Sequence, residues 1–247
     1  MNFSTIIGVV GSLAMLVFSI LSGSGTILSF MHIPSIILVV VCPYFLLFSF
    51  STLRDVLGIF GIMNLTFKIP SFNEQGIITK LMAMSEKARR EGLLALEEEL
   101  EDLDDEFMKK GMRLVVDGTD AEIIRNLMEN ELSQMQERHV GKVQILNMWA
   151  SFAPAVGMMG TVIGLIGMLK NLEDKSALGP NMAIALITTF YGSLVANFLM
   201  LPLAGKLKTY DAMETKVKEM QIEGVLSIQA GQSPHSRYQT PLVSYSG

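Results

Sequence analysis

Almost all charged residues of this chain lie in two segments, 54–142 and the tail from Lys206, which leaves three long stretches without Asp, Glu, Lys or Arg. These charge-free stretches are residues 1–53, 143–169 and 176–205. A membrane core about 30 Å thick is crossed by roughly 20 apolar helical residues. Each stretch therefore predicts one membrane-spanning helix, and the first stretch is long enough for two.

The hydrophobic pattern also places the ends of these four spans. The predicted spans are Phe3 to Leu21, Ile33 to Leu53, Ile145 to Leu169 and Met182 to Ala204. Pro34 favours a helix start, because a proline in the first turn removes only an N–H that would be unpaired anyway. Pro43 lies inside the second span and predicts a kink there. A short loop, Lys170 to Pro180, is expected between the last two spans.

Basic residues near the span ends predict the orientation of the chain in the membrane. Six of them would lie on one side: Arg54, Lys68, Arg138, Lys142, Lys206 and Lys208. Only Lys170 and Lys175 would lie on the other side. Because Lys and Arg are enriched on the cytoplasmic side, both termini and the charged domain are expected in the cytoplasm.

The expected fold is an all-α membrane protein with four transmembrane helices and a helical cytoplasmic domain inserted between the second and third. The predicted boundaries are 1–53 for helices 1 and 2, 54–142 for the cytoplasmic domain, 143–205 for helices 3 and 4, and 206–247 for a C-terminal helix and polar tail. The tail after Gln232 is rich in Ser, Pro and Gly and is expected to be disordered.

An apolar repeat inside the charged domain predicts a helix. Its members recur at spacings of three and four residues, which puts them on one helix face: Leu93, Leu96, Leu100, Leu103 and Phe107. The run D-G-T-D from Asp117 is a turn and N-cap signal. The helix that follows, Ala121 to Arg138, is expected to lead directly into the third span.

Composition excludes several classes of function. The segment 54–142 carries 12 Lys and Arg against 18 Asp and Glu, and so acidic a domain is a poor partner for nucleic acid. One Cys and three His do not make a structural zinc site. The predicted spans contain no Asp, Glu, Lys or Arg, and the chain has no phosphate-binding or nucleophile motif. We therefore expect neither an enzyme nor a bound cofactor.

Small residues line one face of the third span. Ala153, Gly157, Gly160 and Gly164 recur at spacings of four, three and four, which lets another helix approach closely. The pattern has two interpretations. It is either ordinary helix packing or a smooth surface against which a partner helix sits.

Hydroxyls and prolines are the other unusual features of the last two spans. Thr161, Thr188 and Thr189 lie at similar depths. Each hydroxyl either bonds its own helix or supplies an oxygen to a cation or to proton-carrying water. Pro154 and Pro202 either mark helix ends or free backbone carbonyls and permit bending.

The cytoplasmic domain has two arginines just before its acidic run. Arg90 and Glu97 are seven residues apart, which on a continuous helix is nearly the same face. The run is either a solvated charged helix or a docking surface for a charged partner.

Together these residues resemble the flagellar-motor stator subunits MotA and PomA, within the wider MotA/TolQ/ExbB ion-channel group. The most specific motifs are P-A-V-G-M-M-G-T-V-I-G-L from Pro154 and A-L-I-T-T-F-Y-G from Ala185, with L-V-V-D-G from Leu114 in support. The likeness extends from Ile33 to Gly231. One departure is His32, where sodium-type members often have an Asp.

The resemblance implies a ring of five such subunits in the bacterial inner membrane, around two copies of a single-span MotB or PomB subunit. That partner carries the ion-binding aspartate. The resemblance also implies that Arg89, Arg90, Glu97 and Glu98 contact the rotor switch protein FliG. The two prolines would couple ion passage to motion, and the three threonines would line the ion pathway.

The transported ion is expected to be sodium or a proton. Sodium is favoured, because a hard cation needs several oxygens and the threonines supply extra hydroxyls. Two other functions stay open. An ExbB/TolQ-type energiser of an outer-membrane transport system resembles a three-span layout, which the order of spans disfavours. A passive membrane scaffold would leave the Pro, Thr and Gly positions without a role.

Overall fold

The computed structural model of the chain describes residues 3–23, 26–67, 73–101 and 103–231. The regular elements in these ranges are helical. In chain order they are α1 (Phe3–Ser22), α2 (Ile27–Phe30), α3 (Ile33–Leu47), α4 (Leu53–Leu57), α5 (Ile59–Leu65), α6 (Glu74–Glu91), a 3₁₀ turn (Leu93–Leu96), α7 (Glu97–Glu101), α8 (Glu106–Val116), α9 (Ala121–Lys170), α10 (Lys175–Leu194), a π-helix (Val195–Met200) and α11 (Leu201–Gln229). The tail predicted to be disordered lies outside the described residues.

The first two predicted spans correspond to α1 and α3. Helix α1 has 20 residues and is therefore about 30 Å long. Helix α3 begins at Ile33 as predicted, with the His32 ring accepting a hydrogen bond from the Ser35 N–H as an N-cap. It ends at Leu47, six residues before the predicted end, because Thr52 caps a new helix by accepting from the Asp55 N–H.

Among the described residues, two helical stretches are long and apolar enough to cross a membrane, α9 and the continuous run Lys175–Gln229. Helix α9 is uninterrupted from Ala121 to Lys170, which confirms the prediction that the helix beginning at Ala121 continues directly into the charge-free stretch 143–169. Helix α10 begins earlier than the predicted Met182, because the Asp174 carboxylate caps it by accepting from the Ser176 N–H at 2.9 Å. The four-span topology itself stays a prediction.

The chain divides into two compact units. The first comprises residues 1–69 and 139–209, and the second comprises 70–138 and 210–247. Helices α4 and α5, which the predicted boundary assigned to the cytoplasmic domain, belong to the first unit. They do so because their apolar side chains are buried in its core: Val56, Ile59 and Ile62.

The core of the first unit joins α3, α4 and α5 to residues 145–153 of α9 and 203–204 of α11. Leu47 and Leu146 are fully buried in it. Trp149 packs against Tyr44 with ring centroids 5.5 Å apart. Helices in a bilayer associate through close van der Waals packing rather than through removal of apolar surface from water, so the packing of these side chains fixes how α9 lies on α3.

The small-residue face of α9 packs against α10 of the same chain. A Cβ built on Gly157 would meet the Thr188 carbonyl oxygen at 2.8 Å, and one on Gly160 would meet the Thr188 side chain at 2.6 Å. The approach is reciprocal, because a Cβ on Gly192 of α10 would meet the Ala153 carbonyl oxygen at 2.7 Å.

The structure therefore corrects the assignment of Ala153, Gly157, Gly160 and Gly164 to a partner helix. All four are buried within the chain, since α10 occupies the space that their small side chains leave. Of the two interpretations of the stripe, helix packing is the one observed.

The second unit has its own core, to which α6, α7, α8, α9 and α11 contribute. The single helix predicted over 93–107 is wrong, because Leu93–Leu96 form a 3₁₀ turn, α7 ends at Glu101 and Asp105 caps a separate helix, α8. The apolar repeat still faces inward, with Leu96, Leu100 and Leu103 buried. The D-G-T-D turn is confirmed: Gly118 has a φ of 72° and α9 begins at Ala121.

The glycine contacts generate a stability prediction. Gly157→Ala is expected to destabilise the detergent-solubilised protein by about 1–3 kcal/mol, because the new methyl meets rigid backbone. Gly141→Ala is a matched control on the same helix, with nothing within 4 Å of its Cβ position, and is expected to stabilise by up to about 1 kcal/mol. Thermal unfolding of both variants tests this. Equal effects would contradict the close packing.

Candidate ion pathway and rotor-contact surface

Hydroxyls of α9 and α10 meet between the two helices. The Thr161 Oγ1 lies 3.0 Å from the Ala185 carbonyl oxygen and 3.2 Å from the Gly157 carbonyl oxygen, and it also contacts the Thr189 hydroxyl. A hydroxyl has one proton and two lone pairs. Thr161 can therefore donate to one carbonyl while accepting from Thr189, which makes a cluster of three convergent oxygens.

The third threonine lies differently. Thr188 is 1% exposed, lies beneath Gly160, and donates to carbonyls of its own helix, 2.9 Å to Ala185 and 3.2 Å to Ile184. The structure thus brings Thr161 and Thr189 together directly. Thr188 reaches them only through the shared Ala185 carbonyl.

The cluster is open to a ligand on one side. Thr189 is exposed and Thr161 is half-buried, so both hydroxyls can be reached from outside the helix pair. The charge-free stretches supply no carboxylate, and the described residues hold no group of three His, Cys, Asp or Glu that suits a metal. The oxygens alone can orient water or complete the shell of a passing cation.

Both candidate coupling prolines lie inside helices. Pro154 is in α9 and lacks the N–H that would bond the carbonyl four residues earlier. Pro202 is the second residue of α11, which directly follows the π-helix Val195–Met200. A π-helix is rare and often marks a functional position. The sequence analysis did not predict this π-helix, although Pro202 near the end of an apolar run was a signal of irregular helix there.

A cavity of about 600 Å³ adjoins Pro202 in the first unit. It is lined by Gly8, Val9, Ser12, Asn197, Phe198, Pro202, Lys206 and Thr209. None of the three candidate ion-pathway threonines lines it, so this cavity and the hydroxyl cluster are separate.

The four predicted rotor-contact residues are exposed in the second unit. Arg89 and Arg90 lie in the last turn of α6, whereas Glu97 and Glu98 begin α7. The expectation that Arg90 and Glu97 share one helix face is therefore wrong, because Gly92 separates the two helices. The arginines also differ from each other: the Arg89 Nε donates to the Gly231 carbonyl oxygen at 3.2 Å.

Asp105 is a site residue that the sequence prediction missed. Its carboxylate accepts from the backbone N–H groups of Phe107 and Met108, from Lys218 Nζ at 2.9 Å and from Gln221 Nε2 at 2.7 Å. Partial burial opposes its ionisation, but these hydrogen bonds outweigh that effect and lower the pKa of the carboxyl below its ordinary 3.8. The position of Asp105 directly before an apolar helix is a sequence signal for an N-cap. Its partners Lys218 and Gln221 have no such signal, because they are remote in the sequence.

The fold and these sites define an uncharged helix pair carrying hydroxyls, attached to a charged helical domain, which is the arrangement of an ion-channel subunit. Residues 99–221 match the sequence profile of the MotA/TolQ/ExbB proton channel family. Motility protein A of Treponema phagedenis is 52% identical to the chain, over 98% of this chain and 93% of its own length.

Two solved structures are similar across nearly the whole length. The structure of C. jejuni MotAB has a TM-score of 0.89 and 28% identity, covering 96% of this chain and 92% of its own. The flagellar MotAB stator complex from Bacillus subtilis has a TM-score of 0.88 and 28% identity, covering 99% and 100%. The chain belongs to the MotA/TolQ/ExbB proton channel family, and within it to the MotA/PomA stator subunits of the flagellar motor.

The threonine geometry generates a second prediction. Thr161→Val removes the hydrogen bonds that cross from α9 to α10 and is expected to cost about 1 kcal/mol in unfolding free energy. Thr188→Val keeps the buried shape, loses only bonds to its own helix, and is expected to be nearly neutral. Thermal unfolding in detergent measures both. A larger loss in the Thr188 variant would contradict the assigned hydrogen bonds.

Proposed function

We propose that this chain is the ring-forming, ion-conducting stator subunit of a bacterial flagellar motor, which converts transmembrane ion flow into rotor torque. The observation that carries the proposal is the likeness to two MotAB complexes, which extends over 96% and 99% of the chain. Its family relatives are motility proteins, which favours this function over an ExbB/TolQ-type energiser of outer-membrane transport.

The proposed complex contains five copies of this chain around two copies of a single-span MotB/PomB-type partner. The chain lies in the inner membrane with four spans and with both termini in the cytoplasm. Two features support this arrangement: the charge-free stretches of the sequence and the excess of Lys and Arg at the proposed cytoplasmic ends. The partner supplies the carboxylate that the membrane helices of this chain lack.

Sodium is the proposed cargo in preference to the proton. Hard cations take several oxygen ligands, and the Thr161 and Thr189 hydroxyls converge with the Ala185 carbonyl. With a carboxylate from the partner, this cluster offers enough oxygens to replace much of the hydration shell of a sodium ion. Thr188 acts indirectly, by holding the shared carbonyl.

Torque is proposed to arise from ion-driven movement of the ring. Each elementary charge crossing 100 mV releases about 2.3 kcal/mol. Pro154 and Pro202 are the bending points, because each lies inside a long helix that continues into the cytoplasmic domain. Arg89, Arg90, Glu97 and Glu98 form the surface that meets the rotor switch protein FliG.

The proposed ion specificity leads to a motility prediction. In a stator-null strain that expresses this chain with its partner, swimming speed should rise with external sodium at fixed pH. Thr189→Ala should weaken that dependence, because it removes one of the convergent oxygens. Full motility in sodium-free medium, lost only when the proton gradient is dissipated, would show that protons are carried instead.

The proposed rotor contact leads to another prediction. Arg90→Glu or Glu97→Lys should abolish or strongly reduce motor torque, because each reverses an exposed charge on the proposed contact surface. Membrane insertion and co-purification with the partner should be unchanged, since both residues lie in the second unit. Loss of co-purification in either variant would refute the docking role.

A further inference from the structure

We infer that α11 holds both ends of the acidic rotor-contact segment in place, with Arg89 and Asp105 as its two positioning residues. The acidic segment is defined as residues 93–101 and 103–105. The inference rests on the proposed function in one respect, namely that Glu97 and Glu98 in this segment meet the rotor. It assigns Arg89 a different role from that of Arg90.

The acidic segment has little stability of its own. It consists of a four-residue 3₁₀ turn, a five-residue helix and residues 103–105, which have no regular secondary structure. Helices this short are not stable in isolation. Glu97, Glu98, Glu99 and Glu101 also repel one another along α7. The position of its charged side chains therefore has to be imposed by neighbouring elements.

The first anchor lies where the segment begins. Arg89 is in the last turn of α6, and its Nε donates to the carbonyl oxygen of Gly231 at 3.2 Å. Gly231 follows the end of α11 and has a φ of 66°. The guanidinium thus joins the entrance of the segment to the C-terminal end of α11. Lys87, also in α6, pairs with Glu99 at 3.0 Å and adds a contact to α7.

The second anchor lies where the segment ends. Asp105 accepts from Lys218 and Gln221 of α11 and at the same time caps α8. The site is largely shielded from water: the Lys218 and Asp105 side chains are 14% and 29% exposed, and Gln221 is fully buried. Lys218 also lies over the Phe107 ring, 4.8 Å from its centroid. A paired charge in such surroundings is screened less than one at the surface.

The two anchors are separated by most of the last three turns of α11, since the helix rises about 17 Å between Lys218 and its end at Gln229, just before Gly231. Between them, the buried side chains of the segment belong to the same core as those of α11: Leu96, Leu100, Leu103, Ile222, Val225 and Leu226. The segment is therefore fastened to α11 at both ends and packed in one core with it between them.

In this arrangement the adjacent residues Arg89 and Arg90 have different roles. The Arg89 side chain donates to Gly231. The Arg90 side chain is exposed and makes no hydrogen bond or ion pair with any described residue. Arg90 is available to a partner. Because helix continues without a break from Lys175 to Gln229, the element that holds the segment is the one that begins as the proposed fourth span.

Hydrogen–deuterium exchange on the intact stator complex, together with motor torque in cells, tests this inference. Arg89→Gln should raise the exchange rate of the acidic segment several-fold and lower torque, because the first anchor is lost. Arg90→Gln removes the same charge one residue further on. It should lower torque and leave the exchange rate of the segment unchanged.

The second anchor is tested in the same way. Lys218→Met should raise exchange in residues 103–105 and α7 several-fold, and Lys218→Arg should restore it, since the arginine keeps the charge and the donors. Lys110→Met is the matched control, because it removes an exposed ion pair with Glu131 in the same unit. If neither Arg89→Gln nor Lys218→Met changes exchange in the segment, the inference is wrong. Raised exchange with normal torque would instead refute the proposed rotor role of the segment.

Discussion

The close approach of α9 to α10 is the constraint on which the first unit depends. Glycines on both helices make it possible, because at Gly157 and at Gly192 a single methyl would meet the backbone of the other helix within 3 Å. At this separation a short side chain can bridge the two backbones. The Thr161 hydroxyl reaches the Ala185 carbonyl for that reason, so the glycine packing and the polar cluster are one arrangement rather than two.

The membrane helices carry hydroxyls but no charge, and this limits what the chain does alone. A charged side chain at the centre of a bilayer costs about 2.5–3.5 kcal/mol or more, and this chain avoids that cost entirely in its charge-free stretches. Ion selection in the proposed complex is therefore divided between chains. This chain contributes neutral oxygens held at fixed positions by helix packing, and the partner contributes the negative charge.

The second unit carries many like charges, which repel one another and have to be held at fixed positions by the rest of the unit. Glu97, Glu98, Glu99 and Glu101 are carried on the short helix α7, and the order of the unit comes from a buried apolar core and from ion pairs that join distant parts of the chain, such as Arg125 with Glu223 at 3.0 Å. The Asp105 carboxyl, whose pKa is held below its usual value, is fully ionised at neutral pH. Its hydrogen bonds are therefore present at neutral pH and are lost only as the pH falls through that lowered pKa.

Much of this protein followed from local properties of the sequence. The charge-free stretches indicated the apolar helices, the D-G-T-D run indicated the start of α9, and the motifs around Pro154 and Ala185 indicated the family. Each of these signals depends on neighbouring residues, since helix periodicity, capping and turn formation act over a few positions. The burial of Leu96, Leu100 and Leu103 was also implied by their spacing, although the single helix inferred from it was wrong.

Only the tertiary structure decided what the small-residue stripe faces, which threonines meet and what Asp105 binds. These are contacts between residues far apart in the sequence, 24 positions for the bond between Thr161 and Ala185 and 113 for the bond between Lys218 and Asp105. Periodicity shows that a face is buried, but it does not identify the element that covers that face. That choice depends on the whole chain, because one packing arrangement has to satisfy the glycine contacts, the buried cores and the ion pairs at the same time.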